Sequence, residues 1–168
     1  MSTNQNATLN AEPIDSGQVL TFMLGEETFG MDILRVREIR GWQQVTSIPE
    51  SPDYVLGVLN LRGAIVPVID LRKRMAMSSI GYTATTVIIV VSTETKNGRN
   101  EIGLVVDSVS DVAYLNKDAV QAVPAVGSEQ RTEYIRGIVS MGSNLVMLLD
   151  VDRFIQHDGD VQFESIAA

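Results

Sequence analysis

Short apolar runs of five to eight residues recur along the chain, each stopped by Gly, Asn, Ser or Pro. Runs such as VLTFML (19–24) and VIIVVS (87–92) are rich in β-branched and aromatic residues, which suit a pleated, half-buried surface. The pattern predicts strands over 18–24, 27–32, 36–47, 56–62, 64–70, 85–93, 100–106, 109–115, 134–141 and 144–150. Gly63 and the pair Gly142-Ser143 stand between paired runs, where two-residue hairpin turns need positive φ. Pro67 has no N–H to give a ladder, so its strand is expected at an edge or with a bulge. Helices are expected to be few and short: 71–76, 116–121 starting at Asn116, and 151–156.

The chain also matches itself. Shifted by 80 positions, YVLGVLNLRGAIVPVIDL (54–71) lies over YIRGIVSMGSNLVMLLDV (134–151), with Tyr54 on Tyr134, Gly57 on Gly137, Val66 on Val146 and Asp70 on Asp150. A weaker match at a shift of 73 sets FGMDILRVREI (29–39) over IGLVVDSVSDV (102–112), pairing Gly30 with Gly103, Val36 with Val109 and Glu38 with Asp111. A period this long is no solenoid. It suggests one β-rich unit present twice, at roughly 17–80 and 81–156, forming two small barrels packed together. Each alone would be marginally stable.

The repeat serves as an internal control. The first hairpin tip, Asn60-Leu61-Arg62-Gly63, becomes Ser140-Met141-Gly142-Ser143 in the second. A hairpin that folds without arginine shows that the turn does not require Arg62. Two roles remain open for it: an ion pair across the interface between the units, or contact with a partner. Glu38 differs, because Asp111 keeps an acid in the second copy. Arg35, Arg37 and Arg40 lie over Ser108, Ser110 and Ala113, so their basic character belongs to the first copy, as a solvated face or a docking stripe.

Charge narrows the partners. The 168 residues carry 13 Lys+Arg against 21 Asp+Glu, a formal net charge of -8, which argues against non-specific binding to nucleic acid or an anionic membrane. There is no cysteine, so disulfides, thiolate chemistry and Cys-type zinc sites are excluded. The N-terminus has neither the basic nor the apolar region of a signal peptide, and the apolar runs are far shorter than the roughly 20 residues of a membrane helix. These features predict a cytoplasmic protein with a flexible segment at 1–16 and an acidic tail at 157–168.

Catalytic chemistry has little to work with. The single histidine, His157, lies in the tail, and there is no Walker loop or dinucleotide fingerprint. Asp70, Asp107 and Asp150 are the acids that could be proposed as acid/base groups or Mg²⁺ ligands. Asp70 and Asp150 occupy the same point of both repeats, just after a strand and before a helical turn, where a carboxylate caps free N–H groups. The methionines read as core filler. No catalytic residue, metal site or cofactor site is assigned.

GVLNLRGAIVPVIDLR (57–72), with FGMDILRVREIRG upstream, GLVVDSVSDV in the middle and EYIRGIVSMGSNLVMLLDV late, resembles the CheW-like domain family, the coupling module of bacterial chemotaxis. The resemblance covers about 17–156 and implies a mainly all-β fold of two intertwined five-stranded SH3-like barrels with a few short helices. It implies a free-standing, non-enzymatic adaptor with two partners. One is the cytoplasmic tip of methyl-accepting chemotaxis receptors; the other is the regulatory domain of the histidine kinase CheA, in arrays on the inner face of the membrane. Carried onto this chain, the receptor-facing region includes Val36 and Glu38, with Arg62 beside them and Gly57 acting less directly through strand pairing. A coupler for a sister pathway such as surface motility fits the same residues. A small β-barrel enzyme or ligand-binding protein is the alternative of another class.

Overall fold

The structure, a computed structural model, describes residues 17–78, 81–95, 98–123 and 133–155. The expected flexible segment 1–16, the acidic tail 157–168 with His157, and position 156 of the last expected helix lie outside the described residues. The strands are β1 (Gln18–Leu24), β2 (Glu27–Asp32), β3 (Val36–Gly41), β4 (Val55–Leu61) and β5 (Ala64–Asp70), then β6 (Val87–Thr95), β7 (Gly98–Val106), β8 (Ser108–Tyr114), β9 (Ile135–Met141) and β10 (Asn144–Leu149). Single 3₁₀ turns at Ile33–Arg35 and Lys117–Ala119, the short helix α1 (Leu71–Arg74) and helical residues 151–155 are interleaved. Period-two burial is clear in β4, where Val55, Gly57, Leu59 and Leu61 face inward and Asn60 faces solvent.

The strands form two five-stranded sheets, in the orders β8-β1-β2-β10-β9 and β3-β6-β7-β5-β4. Neither sheet coincides with a repeat unit. The hairpin β1–β2 of the first unit joins the strands of the second, and the hairpin β6–β7 of the second joins those of the first. Replacing each strand by its repeat equivalent converts one sheet order into the other, so the exchange follows a pseudo-two-fold. In both sheets the exchanged hairpin pairs parallel with its neighbour, β2 with β10 and β7 with β5. Gly30 lies opposite Leu148 and Gly103 opposite Val68, equivalent residues in each case. A Cβ at Gly30 would meet Val146 at 3.2 Å, and one at Gly103 would meet Ile88 at 2.9 Å, so both crossings need the close approach that glycine permits.

The weaker sequence match is borne out by register. Val36 lies opposite Val91 and Glu38 opposite Val90, with a bulge between them; Val109 and Asp111 bracket the same irregularity against Phe22 and Thr21. Each sheet then curls until the segment beyond its edge strand meets the opposite edge, through Thr46 with Val58 and Gln121 with Ile138. This pairing explains two departures from expectation. The strand expected over 36–47 stops at Gly41, after which Trp42 stacks on Tyr82 at 4.0 Å before pairing resumes at Thr46. The helix expected over 116–121 is one 3₁₀ turn capped by the Asn116 side chain, because Gln121 is extended to pair with β9.

Apolar side chains collect in three places. Leu59, Leu61, Val66, Val68, Ile88, Val90 and Val105 fill one barrel, and Val19, Leu115, Val139, Val146 and Leu148 fill the other. The largest cluster takes residues from both sheets, among them Phe22, Phe29, Ile69, Ile89, Leu104, Tyr134 and Phe154. At this seam the Arg74 guanidinium lies 5.2 Å from the ring centre of Tyr54 and 4.8 Å from that of Tyr134.

The carboxylates foreseen as caps act as caps. Asp70 accepts from the Lys73 N–H at 3.3 Å and Asp150 from the Arg153 N–H at 3.0 Å. Asp107 is tied differently: Arg72, buried on α1, donates to it through Nε (2.8 Å) and Nη2 (2.6 Å), and Asp107 also accepts the Gly25 N–H at 2.6 Å. This clasp pins the β7–β8 crossover to the helix of the barrel it leaves. The β2–β3 crossover is pinned likewise, by Arg35 donating to Asp152 at 3.0 and 2.8 Å. The charges are reversed between the two clasps. Helix α1 ends at Arg74, short of the expected 76, because Met77 N–H bonds to the Arg72 carbonyl and Ala76 N–H to that of Lys73. That Schellman closure holds Ala76 at φ +56°, a conformation that disfavours a Cβ.

Ala76→Gly is therefore expected to stabilise the fold by about 0.5–1 kcal/mol, read as a higher urea midpoint at unchanged slope. Tyr82 supplies a second test. Burial, with the hydrogen bond to Asp70 (2.9 Å) and its charge, holds the phenol above its ordinary value near 10. The folded form keeps a proton that the unfolded chain releases, so this contribution is present below pH 10 and is lost as the pH rises further. Tyr82→Phe is expected to flatten the fall of the urea midpoint above pH 10; an unchanged slope would contradict it.

Candidate functional site

The β4–β5 hairpin reaches the edge strand β3 at its tip. There Arg62 Nη2 lies 3.6 Å from Glu38 Oε2, and Arg40 Nη1 lies 3.8 Å from the same oxygen. Glu38 thus sits between two guanidinium groups. Its repeat equivalent is used otherwise, since the Asp111 carboxylate accepts the neighbouring Val112 N–H at 2.8 Å. An acid is common to both copies, but pairing with basic side chains belongs to the first. Arg37 and Arg35 turn to acids too, Glu101 at 3.8 Å and Asp152.

Arg62 is 84% exposed at the side chain, and its Glu38 contact is the one ion pair it makes among the described residues. An exposed pair at that distance is worth a fraction of a kcal/mol, so it neither fixes the tip nor uses up the guanidinium's donors. The backbone is more informative. Leu61 and Ala64 pair across the turn, leaving Arg62 and Gly63 as a two-residue loop with φ +54° and +87°. Both central residues are positive, the pattern of a type I′ turn, which favours Asn, Asp or Gly at its first position. The second hairpin has Gly142 there, at φ +62°. Arginine occupies a position where it costs about 1–2 kcal/mol of backbone strain, which glycine would not carry.

Of the four residues foreseen for this region, Glu38 and Arg62 are brought together. Val36 is half-buried and packs against the core between the barrels. Gly57 is buried at a bulge, with φ +150°, and a Cβ there would overlap the Thr46 carbonyl oxygen that bonds to Val58 N–H. Its influence runs through barrel closure. Two further residues on the same elements were missed: Ile39 on β3 and Ile65 on β5 are 44% and 53% exposed. Their repeat equivalents, Val112 and Leu145, are 45% and 66% exposed. Apolar side chains left in water at the same place in both copies mark a surface on each barrel. Their outward parity, on the strands next to Glu38 and Arg62 in sequence, was the available signal.

Among the described residues, no group of three or more His, Asp or Glu side chains is placed to hold a metal ion, and no helix is long and apolar enough to cross a membrane. Asp70, Asp107 and Asp150 are accounted for by caps and the Arg72 pair.

The chain is similar in sequence and fold to known proteins. The family model for the CheW-like domain matches residues 18–159. Among curated proteins, the chemotaxis protein CheW of Klebsiella aerogenes is 39% identical over 150 residues, covering 89% of this chain and 88% of that protein. A probable chemotaxis protein CheW of Rhizobium etli is 38% identical over 135 residues, covering 80% and 84%. Among solved structures, the scaffolding protein TtCheW from Thermoanaerobacter tengcongensis superposes with a TM-score of 0.71 at 32% identity, covering 79% of this chain and 88% of that one.

Gly57→Ala is expected to cost about 2–4 kcal/mol, from a clash with backbone that cannot move aside and from positive φ. Gly137→Ala, whose Cβ would meet Val120 Cγ1 at 2.6 Å and the Gln121 carbonyl at 2.9 Å, is expected to cost less. Equilibrium unfolding of both variants tests the order; equal costs would remove the special role of the first closure.

Proposed function

Because the chain belongs to the CheW-like domain family, we propose that it is a non-enzymatic adaptor of bacterial chemotaxis, coupling methyl-accepting receptors to the histidine kinase CheA. The observation that carries the reading is Arg62: an exposed guanidinium held at a left-handed position where the second hairpin has glycine. Strain kept at an exposed position is supported by use, and an arginine beside exposed apolar groups suits a partner contact. We assign Glu38 and Arg62 to the receptor-facing contact. Val36 and Gly57 act through the position of β3 and the closure of the barrel, and Ile39 and Ile65 supply apolar area.

Such a protein needs no chemistry of its own. It transmits a signal only by binding the partner's conformations unequally, since equal affinity for both would assemble the complex and shift nothing. A tenfold preference corresponds to about 1.4 kcal/mol, within reach of one or two contacts of this kind. Individual contacts can stay weak where many act together, as they would in an array on the inner face of the membrane.

The test is receptor-stimulated autophosphorylation of the kinase in receptor-containing membranes, with and without this protein. Stimulation and its loss on adding attractant should both require it. Arg62→Gly is expected to weaken receptor binding about 30-fold, equivalent to about 2 kcal/mol, while leaving the fold as stable as before or up to about 1 kcal/mol more so. A kinase that responds equally without the protein, or a variant that loses stability in step with binding, would overturn the proposal.

A further inference from the structure

We infer that Asn60 is a positioning residue for Arg62: its side chain holds the hairpin tip in the left-handed turn that aims the guanidinium at Glu38 and the partner. The inference rests on the receptor-facing reading of Arg62. Asn60 Oδ1 accepts the Gly63 N–H at 2.9 Å, across the turn that contains Arg62. Asn60 itself points to solvent from β4, opposite exposed Ile65, so core packing does not account for it. A type I′ turn with arginine at its first central position opposes its own backbone preference. Turns with negative φ at that position are open to Arg62, and adopting one would swing the side chain to another direction.

One hydrogen bond is comparable in free energy with the strain it opposes, so the Asn60 contact is sufficient to decide which turn is populated. The second hairpin supplies the contrast. Its tip has Gly142, for which left-handed backbone carries no Cβ penalty, and Ser140 stands where the first hairpin has Asn60. Asn60 thus goes with the strained arginine. Glu38, at 3.6 Å, receives the guanidinium once the turn has aimed it.

The experiment uses the full chain and a soluble fragment of a methyl-accepting receptor that carries the cytoplasmic tip. Receptor affinity and the urea midpoint are measured for Asn60→Ala, Asn60→Asp, Arg62→Ala and the double variant Asn60→Ala/Arg62→Ala. NMR follows the strong intraresidue amide–Hα NOE that positive φ produces at Arg62. Asn60→Ala is expected to abolish that NOE and weaken binding about tenfold at an unchanged urea midpoint, and to add less than about twofold when Arg62 is already alanine. Asn60→Asp keeps the acceptor and is expected to retain both the NOE and the affinity. Persistence of the NOE in Asn60→Ala, or full additivity of the two losses, would overturn the inference. Wild-type affinity in Arg62→Ala would instead remove the receptor-facing reading, and the NOE would still judge the positioning role by itself.

Discussion

Burial of apolar surface between the two barrels is the term on which the rest of the molecule depends. Among the described residues, seven inward residues in one barrel and five in the other make small cores. The larger cluster between them draws on β1, β2, β4, β5, β6, β7, β9 and β10, so neither barrel can leave without exposing it. The hairpin exchange adds a topological tie, since each barrel is completed by two strands from the other repeat unit. Together they make one cooperative body from two units that would be marginal alone. Rigidity between the barrels matters for an adaptor, because a loose joint would absorb differences between partners that the adaptor must pass on.

That frame allows the surface to be uneconomical locally. Arg62 and Gly63 take part in no core cluster, so a strained arginine there draws on stability secured elsewhere. Acidic neighbours shape what the basic residues can do. Arg35 is taken up by Asp152 and Arg72 by Asp107, while Arg62 remains largely in water. Of seven basic side chains in the first half of a net-acidic chain, position within the fold selects one to stand at the tip.

Strand positions were legible because each run is bounded by turn residues, and most boundaries fell within two residues of those observed. Asp70 and Asp150 were legible as caps because both stand at the same strand-to-helix junction. The match at a shift of 73 rested on few residues, yet register bears it out down to the bulge after Val36. The strand pairings behind the exchange were not legible from periodicity, which is local, whereas β2 meets β10 across more than a hundred residues; that the barrels interlock came only from the family resemblance. Apolar identity across the repeat signals core at most positions, but at Ile65 and Leu145 it marks exposed surface. Nothing local in the sequence tells that Arg72 and Arg74 are held inside the fold, by a carboxylate and by two aromatic rings.

A duplicated chain has a pairing problem, because each helix that follows a sheet could dock on either crossover. The reversed clasps bear on it directly. Arg72 on α1 meets Asp107, while Asp152 in the other helix meets Arg35. Exchanging the two helices would set Arg72 against Arg35 and Asp152 against Asp107, like charge against like at both sites. Two ion pairs of opposite sense therefore act as a keyed lock, making the two ends of a nearly symmetric molecule non-interchangeable.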